Sequence, residues 1–281
     1  MSRLRRDRRA VFGVAVLVIV CMAGVAAPLI STGAPASQHD VVATRFQPPL
    51  TTDRTGVFHP LGTDRFGRDV WTRLVYGARV SLVVGGVAVM LSVAIGLAVG
   101  AAAGYWRGTP RLLLLAMTDL TIAIPRVVLV LLLAALARPS AGLVILVLGL
   151  TGWMSVARLV QGEVGSLAAR PFVEGAVALG LSQARVLARH IVPNALTPVI
   201  VSAALGLGQA IMLEAGLSFL GLGVQPPTPS WGNMIASGRD TLVNAPWVAT
   251  APGIALVIVV VACTLLGDAL QDALNPTARS S

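Results

Sequence analysis

The amino-acid sequence predicts an all-α, polytopic membrane protein with six transmembrane helices. Three observations carry that prediction. Hydrophobic residues fill 56% of the 281 positions and charged residues only 12%, against about 25% charged in a soluble domain. Mean hydropathy is accordingly high, at +0.82. The apolar residues gather into six stretches of the length needed to cross a bilayer, about 20 residues each. The formal charge of +9 comes from arginines that flank those stretches, because the chain contains no lysine.

The first stretch, Val11–Ile30, follows Arg3, Arg5, Arg6, Arg8 and Arg9, which places the N-terminus in the cytoplasm under the positive-inside rule. A cleaved signal peptide is the competing reading, with small residues near Ala27. The length of the apolar run and Pro28 directly after those residues favour a retained span. The second stretch is Val80–Ala103, and the loop after it holds Arg107 and Arg111. The third is Leu112–Ala137, with Pro125 expected to kink it. The fourth, Gly142–Val160, is the weakest, interrupted by Gly149, Gly152 and Trp153, but its neighbours require a return crossing. The loop after it carries Arg170, Arg185 and Arg189. Val199–Leu220 and Val248–Leu266 complete the set and return the C-terminus to the cytoplasmic side of an inner membrane. The outer segment between the first two spans contains Arg45, Arg54, Arg65, Arg68, Arg73 and Arg79. The charge rule weakens over translocated segments of that length.

Arginines without interleaved aromatics point to membrane topology rather than to nucleic acid. Cys21 and Cys263 lie inside apolar runs, without CxxC spacing or a histidine cluster, and read as small buried hydrophobes. No long internal repeat is present, which weighs against the inverted-repeat carriers.

The polar interruption between spans four and five has its own pattern. Pro171 suits the first turn of a helix. Phe172, Val173, Ala176 and Leu179 are spaced to share a face, and Gly180 is a C-terminal stop. Ser182 then caps a second helix over residues 183–191, which Pro193 and Asn194 are expected to end. The first helix is too short to persist alone in water. Its apolar side therefore needs either the lipid surface or a protein partner, and periodicity leaves both open.

On the outer side, Gly62, Thr63 and Asp64 read as a turn and N-cap. From there to Arg79 one helical face takes Val70, Trp71, Leu74, Val75 and Ala78, and the other takes Arg65, Arg68, Asp69, Thr72, Arg73 and Tyr76. That predicts an interfacial helix leading into the second span. His59, Asp64 and Asp69 lack an accompanying nucleophile and make a poor catalytic set. After the fifth span, Gln225, Pro226, Pro227 and Pro229 form a stiff outer loop, with Trp231 suited to an interfacial anchor or a partner contact.

Asp119, Arg126 and Glu214 fall within spans. Charges there are costly and usually face the bundle interior or a watery cavity. Arg126 and Glu214 are expected at comparable depth, either pairing or lining a pathway, with tethering of neighbouring helices as the alternative. Gly96, Gly100 and Gly104 recur every four residues, the spacing for close helix approach.

Glu174-x-Ala176-x-x-x-Gly180, running on to Val192-Pro193, resembles the EAA loop of ABC importer permeases. Gly175 stands where that family usually has Ala, which lowers helix propensity by about 1 kcal/mol. The run from His59 to Leu82, the ending His190-Ile-Val-Pro-Asn194 and the segment Glu214 to Gly232 are similar to the C-type subunit of the dipeptide, oligopeptide and nickel permeases. The resemblance extends from the first span to about Leu270. It implies the type I ABC importer permease fold. The domain plan is a cytoplasmic tail over 1–10, a first helix over 11–30 and an extracytoplasmic segment over 31–79. A five-helix core over 80–272 follows, with its coupling loop at 161–198, and then a cytoplasmic tail over 273–281. By resemblance, Phe172, Val173, Glu174, Gly175, Ala176, Leu179 and Gly180 form the coupling contact with an ATPase subunit. Gln225, Pro226, Pro227 and Trp231 lie near the docking face for an external solute-binding protein.

A Walker A loop requires Gly-Lys-Ser/Thr, which a chain without lysine does not contain. The expectation is therefore a non-enzymatic permease subunit that needs a separate motor. No cofactor is expected in this chain; ATP and Mg belong to partner subunits. The implied partners are a paralogous permease subunit forming a heterodimer, ATP-binding subunits, an extracytoplasmic solute-binding protein and the lipid bilayer, with no nucleic acid. Peptides are the implied cargo, with nickel, haem or glutathione as alternatives. An ion-coupled carrier using Asp119 and Glu214, and a membrane enzyme using the segment from His59 to Asp69, are the rival classes.

Overall fold

The computed structural model describes residues 7–38, 41–54 and 56–274. Arg3, Arg5 and Arg6, and residues 275–281 of the expected C-terminal tail, lie outside the described residues. Among the described residues five helices are individually long and apolar enough to span a bilayer, or six if a bent pair counts as one span.

Helix α1 (Arg8–Val25) starts at Asp7, whose carboxylate accepts the Arg9 N–H. The Arg9 guanidinium beside it lowers the Asp7 pKa. Short α2 (Ala27–Ile30) and α3 (Val41–Thr44) follow, then a two-stranded antiparallel ribbon of β1 (Thr51–Thr52) and β2 (Phe58–His59), with Thr51 opposite His59. Helix α4 (Val70–Tyr105) joins the expected interfacial helix and the second span into one 36-residue rod. Its N-cap is Asp69, which accepts the Thr72 N–H at 2.7 Å, rather than the residues around Asp64. Asp64 instead closes its own turn, accepting the N–H groups of Phe66 and Arg68 and the Arg68 guanidinium. The predicted polar face is not solvent-facing either. Arg68, Thr72 and Arg73 are buried, because the outer segment folds back over them and supplies the Pro35 carbonyl and the Asp64 carboxylate.

The third span differs most from expectation. It is two helices, α5 (Thr109–Ile122) and α6 (Arg126–Ala135), meeting at 84°. Pro125 lacks an N–H and disfavours helical geometry at Ile124, so the chain breaks over 123–125 instead of kinking. The fourth span is by contrast unbroken, α7 (Ala141–Ala168). Its interrupting glycines are packing devices: a Cβ on Gly149 would lie 3.0 Å from Leu91 Cβ, and one on Gly152 would lie 3.1 Å from Ser92 Cβ.

After α8 (Pro171–Ala178) and α9 (Gln183–Val186), the helix does not stop at Pro193 and Asn194. A π-helical turn over Leu187–Ile191 carries it into α10 (Val192–Phe219), with the Val192 N–H reaching back to the Leu187 carbonyl. Pro193 then sits in the first turn of α10, directly after the π-helical turn. The Asn194 side chain donates to the His190 carbonyl at 2.7 Å. Helices α11 (Trp231–Gly238) and α12 (Trp247–Leu274) complete the chain.

Helices α4 and α7 pack along most of their lengths; α10 packs on α4, α7 and α12, and α1 on α12 and α4. Lipid tails are as apolar as the side chains, so helix association here rests on close packing rather than on the hydrophobic effect. The stripe Gly96, Gly100, Gly104 supplies it. An added Cβ would lie 2.7 Å from the Trp153 carbonyl at Gly96, 2.5 Å from the Ala157 carbonyl at Gly100 and 2.7 Å from the Gln161 carbonyl at Gly104. Gly13 on α1 meets the Ala262 carbonyl of α12 in the same way, at 2.7 Å. Of the cysteines, Cys263 is buried as expected but Cys21 is exposed on the outward side of α1. Arg9 pairs with Asp272 at 2.7 Å, so the start of α1 and the end of α12 share one end of the bundle, as an even number of crossings requires.

Candidate functional site

Two regions gather the residues singled out in the sequence. The first is α8. Pro171 opens it, Glu174 lies in its first turn near the positive end of the helix dipole, and Leu179 caps it. The Gly180 N–H donates to the Val177 carbonyl (2.9 Å) and the Leu181 N–H to the Ala176 carbonyl (3.2 Å), the paired bonds of a Schellman stop. Gly180 has φ +82°, which a glycine adopts without steric cost.

The expected single apolar face of α8 is divided in two. Val173 and Ala176 turn inward and are 4% and 9% exposed, within a cluster that includes Val164, Val186, Ile191 and Ala195. They turn toward the bundle because that apolar cluster receives them, whereas periodicity alone groups them with Phe172 and Leu179. Phe172 and Leu179 point outward at 44% and 85% exposure, beside exposed Glu174 and Gly175. A recess of about 1340 Å³ adjoins α8, lined by Arg107, Arg111, Gln161, Glu174 and Gln183 among others.

The second region is a cleft of about 780 Å³ between α4, α7, α10 and α12. It runs from Glu163, Asn194 and Gln271 near the α8 end to Ser92, Arg126 and Gly152 in mid-span. Arg126 opens α6 at the broken span and reaches over Gly152, where an added Cβ would lie 3.0 Å from its Nη2. Its Nη2 donates weakly to the Leu148 carbonyl at 3.5 Å, and its buried Nε has no partner.

The other intramembrane charges lie elsewhere. Glu214 is fully buried and does not line the cleft; its carboxylate accepts the Ser81 hydroxyl (2.8 Å) and the Ser218 hydroxyl (2.7 Å). Ser81 in turn accepts the Trp231 N–H, so Glu214 ties α4, α10 and α11 together. Among the described residues no ion pair joins Arg126 and Glu214. Asp119 is half-exposed on α5 and pairs with Arg158 of α7. The sequence reading passed over Arg158 and Ser81, which come from distant elements. Ser218, four residues beyond Glu214, shares its helical face and carried a local signal.

At the opposite end, Gln225, Pro226 and Pro227 are exposed. Trp231 is not: it is 1% exposed, and its indole N–H donates to the Leu74 carbonyl at 3.1 Å. It is a core residue between α4 and α11 rather than an interfacial anchor or a docking contact, because the capping box of Ser230 and Asn233 turns α11 inward. His59 is buried too, with Nδ1 2.9 Å from Asp69 and Nε2 3.5 Å from Asp53.

Comparison with known proteins agrees with this architecture. Residues 94–280 match the family described as binding-protein-dependent transport system inner membrane component, and residues 1–49 match the N-terminal transmembrane domain of oligopeptide transport permease C. A permease protein of Brucella abortus is 40% identical over 274 residues, covering 98% of this chain and 90% of its own length. The dipeptide transport system permease protein DppC of Alkalihalophilus pseudofirmus is 35% identical over 279 residues, covering 99% and 89%. The oligopeptide transport system permease protein OppC of Mycobacterium tuberculosis is 36% identical over 283 residues, covering 100% and 94%. A solved chain of the MetNI methionine ABC transporter shares the fold, with a TM-score of 0.58 at 21% identity over 72% of this chain and 96% of that one. With its helices, broken span and loop helix in this order, the chain belongs to the inner membrane components of binding-protein-dependent transport systems, the permease subunits of ABC importers, in the branch of the oligopeptide permease C subunits.

Proposed function

We propose that this chain forms half of the translocation pathway of a peptide importer and couples it, through α8, to ATP hydrolysis on a separate subunit. The observation that carries the reading is the outward side of α8, where Phe172, Glu174 and Leu179 stand exposed on a helix held firmly from behind by Val173 and Ala176. A short helix anchored on one side and apolar on the other transmits a push as a rigid body, and α7 and α10 are the elements it would move. ATP and Mg would be bound by the ATP-binding subunits, and a paralogous permease subunit would supply the other half of the pathway. The exposed loop at Gln225, Pro226 and Pro227 would face the solute-binding protein. This places α8 and both termini in the cytoplasm, in keeping with the arginines at Arg107, Arg111, Arg170, Arg185 and Arg189. Peptide cargo draws its support from the names of the dipeptide and oligopeptide relatives.

The test is reconstitution of the full complex in proteoliposomes with internal ATP. Leu179→Asp and Phe172→Asp should abolish binding-protein-dependent peptide uptake while the permease still assembles with its paralogous partner. Full uptake by both variants would refute the docking role of α8. Uptake that proceeds without any ATPase subunit and follows an ion gradient would instead favour a secondary carrier.

A further inference from the structure

Arg126 is the cation lining the mid-span cleft, and among the described residues it forms no ion pair. Asp119 is paired with Arg158, and Glu214 is bonded to Ser81 and Ser218. Glu163 lines the cleft but forms no ion pair with Arg126. Glu163 lies eleven residues beyond Gly152 on α7, about 16 Å along the axis. The remaining polar lining near the guanidinium is neutral, from Ser92, Ser155 and Gln209. Among the described residues the one bond Arg126 makes, to the Leu148 carbonyl, is long at 3.5 Å, and its buried Nε makes none. Among the described residues Arg126 is the one cation lining a cleft wide enough for a small ligand, and its neutral polar surroundings there favour an anionic group. Arg126 is also the first residue of α6, whose first-turn N–H groups lack intrahelical partners, so the positive end of that helix lies at the same break. Broken spans elsewhere present such ends to anionic substrate groups.

We propose that Arg126 is a carboxylate-binding residue of the pathway, which engages a carboxylate of the passing cargo through the fork of its guanidinium. The proposal rests on the peptide reading for the origin of that carboxylate, either the C-terminus or an acidic side chain. The planar guanidinium suits a bidentate carboxylate in a way an ammonium does not.

Two measurements on the assembled complex test it. The first needs no peptide. In a background with Cys21→Ala and Cys263→Ala, Ser155→Cys places a thiol in the cleft, and its reaction with an anionic and a cationic methanethiosulfonate reagent is timed. The anionic reagent should gain about tenfold over the cationic one relative to their rates on a free thiol, equivalent to about 1.4 kcal/mol. Adding Arg126→Gln should remove that gain. Equal relative rates with Arg126 present, or a gain that survives Arg126→Gln, would overturn the proposal.

The second measures uptake with the binding protein saturated by each cargo: a neutral-side-chain tripeptide as free acid, the same peptide as C-terminal amide, and an amide with one glutamate. The free acid should enter about tenfold faster than the plain amide, and Arg126→Gln should bring that ratio near one, with Arg126→Lys intermediate. Rescue of the amide by the glutamate assigns the site to any carboxylate, and failure of rescue assigns it to the C-terminus. An acid-to-amide ratio untouched by Arg126→Gln would refute the role. A charge preference in the thiol reaction with no peptide uptake would sink the peptide cargo and leave the anion site standing.

Discussion

Replacing Gly100 by alanine tests whether α4 and α7 are held by backbone approach. A Cβ at Gly100 would lie 2.5 Å from the Ala157 carbonyl oxygen and 2.7 Å from Val160 Cβ, where ordinary contact begins at 3.4 Å. Helix α7 would have to recede by about 1 Å, and its carbonyl is backbone, with no rotamer to escape into. Overpacking of this kind costs about 1–3 kcal/mol. Alanine returns about 1 kcal/mol through helix propensity, leaving a net loss of up to about 2 kcal/mol. Gly86, on the same helix, has nothing within 4 Å of an added Cβ. There the propensity term stands alone, and Gly86→Ala should stabilise by up to about 1 kcal/mol. The same substitution thus has opposite signs about four turns apart on one helix. Gly96→Ala combined with Gly100→Ala should cost less than the sum, because one retreat of α7 relieves both clashes. The assay is the thermal unfolding midpoint of the purified complex in lipid nanodiscs. If Gly100→Ala raised the midpoint as much as Gly86→Ala, close packing along the glycine stripe would be wrong.

Three further outcomes follow from the same geometry. Glu214→Ala should destabilise by about 3–5 kcal/mol, since it takes the acceptor from two buried hydroxyl donors and opens a cavity, whereas Glu214→Gln should lose about half of that; a thermal midpoint unmoved by either would refute the tether. Gly175 has open space around an added Cβ, so Gly175→Ala should stiffen α8 by about 1 kcal/mol, while Gly180→Ala, forced to φ +82°, should weaken its stop by about 1–2 kcal/mol; amide exchange of residues 171–181 reads both. Asp69→Ala should cost about 1–2 kcal/mol through loss of the α4 cap, and Asp69→Asn should recover most of it, measured by the same midpoint.

The sequence by itself determined the class of the protein and where its long apolar helices run. Lipid offers the backbone no hydrogen-bond partners, so a lipid-facing segment must be apolar and helical, and that demand is written locally. The glycine stripe and the stop at Gly180 were legible for the same reason, since a missing Cβ acts where it sits. The tertiary structure decided what depended on distant partners. Pro125 announced a bend, but its 84° angle and the seating of α6 against α7 are seen only in the folded chain. Periodicity put Val173 and Ala176 with Phe172 and Leu179, and contact with Val186 and Ile191 drew the first pair inward. Three intramembrane charges looked alike in the sequence. Ser81 satisfied Glu214 from 133 residues away and Arg158 satisfied Asp119 from 39, and no acidic side chain reached Arg126. A charge in a span must find an opposite charge, a donor or water, and which of these it finds is settled only when the helices are brought together.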